Sequence, residues 1–319
     1  MSFIKYIPFK ADVSESAPAI LCLGNFDGVH IGHTALIAEA LSMKFQMRQK
    51  GFITKVGAMC FDSLSSNCLK KGSTPQIMSL EEKLKKFASL GLDFAYVCNF
   101  NEIRNYSPEE FIENILRKEC GCAGVVCGFN YRFGKNAAGS SEELANVFNV
   151  WHGIRSFVSV PPVIVENSVV SSSLIRKNIV DGNIESANAM LGRCFSIYHE
   201  VVHGKNIGKQ LGFPTLNHIF SEGELVPAFG IYATKTRIND TIYTSVTNIG
   251  VRPTVSVSDT ITCETHLIDF DSAHSSLYGQ NAEIMFYSKI REETKFNSFS
   301  ALSEAIANDI KNTKKYFGM

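Results

Sequence analysis

Hydrophobic and polar positions along this chain change their period once. From Pro18 to about Arg176, short apolar runs alternate with stretches in which apolar residues recur every three or four positions. The runs AILCLGNF, ITKVGAMCF, DFAYVCNF, AGVVCGF and SFVSV predict strands, and residues 34–50, 80–90 and 108–118 predict the helices between them. Strands and helices alternating at this spacing predict a parallel sheet wrapped by helices. Two helix starts are explicit: Ser79-Leu80-Glu81-Glu82 and Ser107-Pro108-Glu109-Glu110 each fit a capping box, in which Ser and the Glu three residues on satisfy free backbone N–H groups. Behind them Leu80, Leu84, Phe87 and Ala88, then Phe111, Ile112, Ile115 and Leu116, form single-faced stripes that read as core.

Two short helical patterns follow, Ser173 to Val180 and Ile184 to Leu191. From Phe195 to Ile290 the chain is rich in β-branched and aromatic residues with period-two stretches such as GIYATKTRI and ITCETHLIDF. Asn239-Asp240 between two such runs predicts a tight hairpin. Successive strands without intervening helices predict an antiparallel sheet or small barrel. Leu302, Ile306 and Ile310 then mark a final helix. The expected fold is α/β followed by β, with domains at 1–186 and 187–319.

Composition narrows the class of function. The 319 residues carry 31 Lys+Arg against 31 Asp+Glu, so the net charge is zero and no broad basic field exists to hold nucleic acid. A hydrophobic fraction of 45% suffices for two cores. No apolar run approaches the roughly 18 residues of a membrane span, and MSFIKYIPFK lacks a signal peptide's apolar stretch. A soluble, cytoplasmic protein without membrane or nucleic-acid partners is expected, with its oligomeric state left open. Of nine cysteines, Cys22, Cys60, Cys98, Cys127 and Cys263 sit inside apolar runs, and no CxxC pair exists. They read as reduced, buried thiols rather than disulfides or zinc ligands.

Candidate chemistry begins where the first strand of the alternating region ends, at Gly24-Asn25-Phe26-Asp27-Gly28-Val29-His30-Ile31-Gly32-His33. Two histidines at a helix N-terminus behind a glycine-containing loop make an anion site, because the exposed N–H groups and helix dipole favour phosphate. The spacing is not that of the Rossmann fingerprint. A lone pair of histidines so spaced is commoner at metal sites or on solvated surfaces; the whole string after a strand is far more specific. It resembles the HxGH signature of nucleotidyltransferases, in the form found in bacterial bifunctional riboflavin kinase/FAD synthetases. Gly128-Phe129-Asn130-Tyr131-Arg132-Phe133-Gly134 and Ser171-Ser172-Ser173-Leu174-Ile175-Arg176 resemble two further motifs of that family. The resemblance implies that His30, His33, Asn130 and Arg176 hold ATP phosphates during AMP transfer to FMN. It also implies that Gly24, Asn25, Phe26, Asp27, Gly28 and Ser172 help to bind nucleotide and flavin. Two positions depart from the pattern: Asp62-Ser63-Leu64 lies where the family carries F-x-P-H-P, and Ser140 stands where an acidic residue is usual.

The second constellation opens the β-rich half. Gly204-Lys205-Asn206-Ile207-Gly208-Lys209-Gln210-Leu211-Gly212-Phe213-Pro214-Thr215-Leu216-Asn217 is not a P-loop, for Gln replaces Ser or Thr and no βαβ unit surrounds it. A glycine-containing loop offers N–H groups to phosphates, and Thr and Asn oxygens suit Mg2+. The string resembles the riboflavin kinase signature GxxxGxxLGFPTxN. The resemblance implies ATP binding at Gly204, Gly208 and Gly212 and metal binding at Thr215 and Asn217. Asn248-Ile249-Gly250-Val251-Arg252-Pro253-Thr254 resembles the NIGxRPT loop, which makes Asn248 and Arg252 binding candidates. Glu264-Thr265-His266-Leu267 resembles another family segment. Strand alternation puts Glu264 on the face opposite Cys263, Thr265 and Leu267, and the resemblance makes it the general base. His266 reads as a packed or hydrogen-bonded strand residue. Together these imply phosphorylation of riboflavin to FMN and adenylylation of FMN to FAD, with ATP and Mg2+. A monofunctional kinase with a weakened amino-terminal half, and a non-catalytic flavin-binding regulator, are the competing readings.

Overall fold

The apolar runs of the first half become the strands of one sheet, and the period-two runs of the second half become a barrel. The computed structural model describes residues 4–10, 14–62, 74–204, 211–220, 223–252, 260–270 and 277–319, with side chains left out at 252 and 260. Ser63, Leu64 and Gly208 therefore lie outside the described residues, as does the side chain of Arg252.

The first compact unit is Met1–Ser172. Its main sheet contains β1 (Ile4–Pro8), β2 (Ala19–Leu23), β3 (Lys55–Phe61), β4 (Phe94–Cys98), β5 (Cys122–Gly128) and β6 (Phe157–Val160), in the order β1-β4-β3-β2-β5-β6. All neighbours run parallel except β1, which pairs antiparallel with β4. Every residue of β2 and β4 is buried, as expected for strands covered on both faces. Ile20, Cys22 and Ala58 pack on one side with α1 (Ile31–Gln49) and with Phe87 of α2 (Leu80–Ser89). Leu21, Leu23 and Val125 pack on the other with Phe111, Ile112, Ile115 and Leu116.

Both expected capping boxes are present, at Ser79 and Ser107. The stripe behind Ser107 is buried as expected, but α3 (Phe111–Glu119) winds as a π-helix, and α4 (Ser141–Phe148) follows. Edge strand β1 was not anticipated, because only Ile4 of its five residues is buried and no periodic signal marks it.

Strand order places the site. The chain passes from β2 to β3 and β4 on one side, then returns to put β5 against β2 on the other. Between β2 and β5 lies the topological switch point, where loops at the carboxyl ends diverge and leave a crevice. Leu23 is paired with Cys127, so the loops beginning at Gly24 and Gly128 leave the sheet side by side.

The second unit is Ser173–Met319. Apart from Ser172, helices α5 (Ser172–Asp181) and α6 (Ile184–Leu191) fall in it. Ala228 N–H donates to the Ile179 carbonyl, and Asn188 Nδ2 to the Phe286 carbonyl. The strands are β7 (Phe195–Glu200), β8 (Leu216–Ile219), β9 (Gly230–Ile238), β10 (Thr241–Arg252), β11 (Thr260–Leu267) and β12 (Asn281–Arg291), ordered β7-β12-β9-β10-β11-β8 and antiparallel throughout. Just past β7, Val202 bridges to Asn217 of β8, its N–H reaching the Asn217 carbonyl at 2.8 Å. That bond joins the two ends of the sheet and closes the barrel. Asn239-Asp240 forms the turn between β9 and β10, with Asn239 at φ +52° and Ile238 paired with Thr241. Helix α7 (Phe299–Tyr316) lies against the outer face, tied by Arg291 to Asp309 at 2.9 and 2.7 Å and by Lys314 to Asp269.

Candidate active sites

The loop after β2 is shaped by residues that face inward. Phe26 (φ +52°) and Gly28 (φ +78°) turn the chain through the left-handed region. Phe26 is fully buried, its ring 4.9 Å from His33 and edge-on to Phe87 at 5.2 Å. Asp27 is 1% exposed. Its carboxylate accepts Ile77 N–H at 3.0 Å, and its carbonyl accepts the hydroxyl of Ser172 at 2.8 Å. Phe26, Asp27 and Ser172, expected as ligand contacts, thus also take part in holding the loop. Asn25 is exposed, and Lys83 donates to its carbonyl at 3.1 Å.

The histidines sit where the helix begins. His30 is the N-cap of α1, and its N–H donates to Nδ1 of His33 at 3.3 Å. Since Nδ1 accepts, the ring proton of neutral His33 is on Nε2, which makes that atom a donor. The rings stack with centroids 3.7 Å apart. Burial, then the neighbouring His30 and Lys83, hold His33 well below the usual imidazole pKa. His33 is therefore a neutral hydrogen-bond donor at neutral pH.

The loop after β5 places Asn130 exposed in a turn closed by Tyr131 N–H to the Gly128 carbonyl. Gly134 (φ +71°) passes so close to Pro108 that a Cβ would meet its nitrogen at 2.9 Å. Ser140, where the family's acidic residue is absent, precedes the helix Ser141–Phe148, and its N–H donates to Glu143 at 2.7 Å. Arg176 is half-buried, one turn into α5 from Ser172. Sequence reasoning passed over Lys83, a 4%-exposed cation within the apolar face formed by Leu80, Leu84 and Phe87. A lysine at that spacing inside a core stripe was the available signal.

In the barrel, register assembles the site. Asn217 is paired with Glu264, and Glu264 with Asn248, so three residues from β8, β11 and β10 share one row and one face. Cys263, Thr265 and Leu267 are buried on the opposite face, as alternation required. Thr215, Asn248, Glu264 and His266 line a cavity of about 580 Å³ whose remaining wall includes Phe213, Val246, Phe299 and Leu302. Asn248 Oδ1 is buried and meets no donor among the described residues. Asn217, 7% exposed, donates its Nδ2 to the Thr215 carbonyl at 3.2 Å. Any Cβ at Gly204 would collide with the Asn217 amide, so glycine is required there by close approach. Gly212 needs glycine for another reason, φ +85°. His266 donates from Nδ1 to the Pro214 carbonyl at 2.9 Å, and burial lowers its pKa.

Known proteins resemble this chain across both units. The chain matches the FAD synthetase family over residues 12–174 and the riboflavin kinase family over residues 191–317. It is 33% identical over 313 residues to the bifunctional riboflavin kinase/FMN adenylyltransferase of Listeria monocytogenes, covering 97% of this chain and 96% of that one. The chain belongs to this bifunctional family. The Escherichia coli member is 30% identical over 305 residues, 94% of this chain and 93% of its own. A Streptococcus pneumoniae crystal structure described as a macrolide-efflux protein superposes with a TM-score of 0.83 at 26% identity, covering 95% of this chain and 96% of that one. No helix among the described residues is long and apolar enough to cross a membrane. With both domain types present in order, the family's bifunctional pattern is favoured over a kinase alone or a flavin-binding regulator.

Proposed function

We propose that residues 187–319 phosphorylate riboflavin to FMN and residues 1–186 adenylylate FMN to FAD, each with ATP and Mg2+. The observation that carries the kinase half is the row Asn217, Glu264 and Asn248, of which Glu264 and Asn248 line a cavity walled in part by Phe213, Val246, Phe299 and Leu302. The isoalloxazine ring fits the apolar wall, and the ribityl chain runs toward Glu264. A primary alcohol is a weak nucleophile until its proton is accepted. Glu264 takes that proton as the 5′-oxygen bonds to the γ-phosphorus of ATP and ADP departs. Asn248 Oδ1, short of a donor among the described residues, is suited to accept from a ribityl hydroxyl.

Thr215 and Asn217 fit Mg2+ chemically. The amide nitrogen of Asn217 is engaged by the Thr215 carbonyl, so its oxygen is the end available to a hard cation. When bound, Mg2+ offsets phosphate charge. Gly204, Gly208 and Gly212 are assigned to the ATP phosphates, and Arg252 to the same site.

In the first half the nucleophile is an FMN phosphate oxygen, already ionised, so positioning outweighs base catalysis. That oxygen bonds to the α-phosphorus of ATP, the bond to the bridging oxygen breaks, and pyrophosphate leaves. His30, Asn130 and the Nε2–H of His33 are assigned to the ATP phosphates, as is Arg176 by its motif with Ser172. Lys83 holds the Asn25 carbonyl and adds positive charge beside His33. We place both reactions in the cytoplasm, where the free cysteines of the described residues stay reduced. Incubation with riboflavin, excess ATP and Mg2+, resolved by chromatography, should yield FMN first and FAD after it. FMN as the sole product would leave a monofunctional kinase, and no product would overturn both halves.

A further inference from the structure

Inside the barrel, behind the row of Asn217, Glu264 and Asn248, runs a chain of hydroxyls that neither reaction uses. Thr234, Thr236, Ser245, Thr247 and Thr265 are all fully buried. Thr236 Oγ1 lies 2.8 Å from Ser245 Oγ, Ser245 Oγ 2.8 Å from Thr234 Oγ1, Thr234 Oγ1 2.8 Å from Thr247 Oγ1, and Thr247 Oγ1 2.9 Å from Thr265 Oγ1. Thr234 also donates to the Ser245 carbonyl at 3.1 Å. A hydroxyl has one proton to give. With the Thr234 proton on the Ser245 carbonyl, Ser245 and Thr247 donate to Thr234, Thr236 donates to Ser245, and Thr265 donates to Thr247. Every hydroxyl proton then has an acceptor, and Cys263 Sγ stands 3.8 Å from Thr265 Oγ1 as a further, weaker partner.

We propose that this ladder positions the kinase site, with the Thr247–Thr265 rung holding Asn248 and Glu264 opposite each other on the outer face. The inference rests on the roles given above to Glu264 and Asn248. Thr247 precedes Asn248 and Thr265 follows Glu264; Thr247 is paired with Thr265 as Asn248 is with Glu264. The inner rung and the outer pair are thus consecutive steps of one register. Sliding β11 by a single residue would carry Glu264 into the barrel and Thr265 out of it. Apolar side chains of similar size tolerate repacking and lose uniqueness first. Buried hydroxyls do not, because each misplaced donor is stranded away from water. The ladder makes the register that assembles the site the only one in which these groups are bonded. The rungs differ in what their loss leaves behind. Without the Thr247 hydroxyl, the Thr265 proton is left with only the Cys263 sulfur, 3.8 Å away and a weak acceptor. Without the Thr236 hydroxyl no donor is stranded, since Ser245 still gives its proton to Thr234.

Thr247→Val, which is close to isosteric, Thr247→Ser, Thr236→Val and Glu264→Gln should be compared in the full chain for riboflavin phosphorylation, alongside thermal unfolding. Thr247→Val should lower kcat about tenfold or more, in line with the cost of sub-ångström misplacement, and leave the riboflavin KM within about twofold. Thr247→Ser should recover kcat to within about threefold of wild type, and Thr236→Val should stay in that range. Wild-type kcat in Thr247→Val, equal loss in Thr247→Ser, or equal loss in Thr236→Val would each overturn the positioning role. Should Thr247→Val not fold, Thr265→Val against Thr265→Ser makes the same comparison from the other side of the rung. Activity retained in Glu264→Gln would instead overturn the site assignment, which keeps the two failures apart.

Discussion

The nucleotide loop of the parallel-sheet unit and the Glu264 row of the barrel assemble their chemistry by different means. In the first, one uninterrupted string from Gly24 to His33 supplies loop, helix N-terminus and both imidazoles, and the sheet contributes mainly a place at the switch point. In the second, Asn217, Asn248 and Glu264 come from three strands and meet only through pairing. The first site also draws on Lys83 of α2 and Asn130 after β5, but its loop and both imidazoles come from the segment joining β2 to α1. The second depends on closure, register and the fit of Gly204 against Asn217. A loop site is a local product of its sequence, whereas a barrel site is a product of long-range alignment.

Substitutions can separate the two. The largest effect is expected from Glu264→Gln: FMN formation should fall about 10²- to 10⁴-fold, the range of general-base loss, with FAD formation from supplied FMN unchanged. Parallel loss of both activities would show that the sites are not independent. His30→Ala should give the reverse split, lowering FAD formation about 10²-fold or more through lost charge stabilisation and sparing FMN formation. Product chromatography reads both variants. Gly204→Ala tests the register-built site by sterics alone, since its Cβ would displace the Asn217 amide. FMN formation should drop about tenfold or more, with a stability cost of about 1–3 kcal/mol by overpacking, read by kinetics and urea unfolding.

The smallest effect concerns pH. His33 has a folded pKa well below its unfolded value near 6.5. Above that pH both states are neutral and His33 contributes no slope. As pH falls below about 6.5, the unfolded chain takes up a proton that the folded chain refuses, so stability declines by at most about 1.4 kcal/mol per pH unit. Trp151, the sole tryptophan, lies in this unit and reports its unfolding. In His33→Asn that part of the slope should disappear; an unchanged slope would contradict the neutral imidazole.

Legibility followed the same contrast. The motif strings, the capping boxes at Ser79 and Ser107 and the Asn239-Asp240 turn could be read directly, because each depends on residues within a few positions of one another. Edge strand β1 escaped because a strand buried at one residue carries no period. The π winding of Phe111–Glu119 escaped because it buries the same stripe an α-helix would. Phe26 and Asp27 looked like ligand contacts in their motif, yet the fold turns both inward, onto Phe87 and onto Ile77 N–H. Lys83 was hidden for the opposite reason, since its charge means something only once α2 has docked beside the loop after β2.

By itself, the sequence determined the kinds of structure and chemistry available: a helix-wrapped parallel sheet before an antiparallel barrel, a histidine-bearing helix start, and Thr, Asn and Glu oxygens suited to phosphate chemistry. Periodicity and local capping are properties of neighbouring residues, so they survive in one dimension. The tertiary structure decided which strands are adjacent, in what register, and which polar groups are consumed in holding them. Only when β8, β10 and β11 align do Asn217, Asn248 and Glu264 become one row, with the hydroxyls of Thr247 and Thr265 bonded behind them. That alignment comes from pairing between residues far apart in the chain, where the side chain a given position meets is set by the fold rather than by its neighbours in sequence.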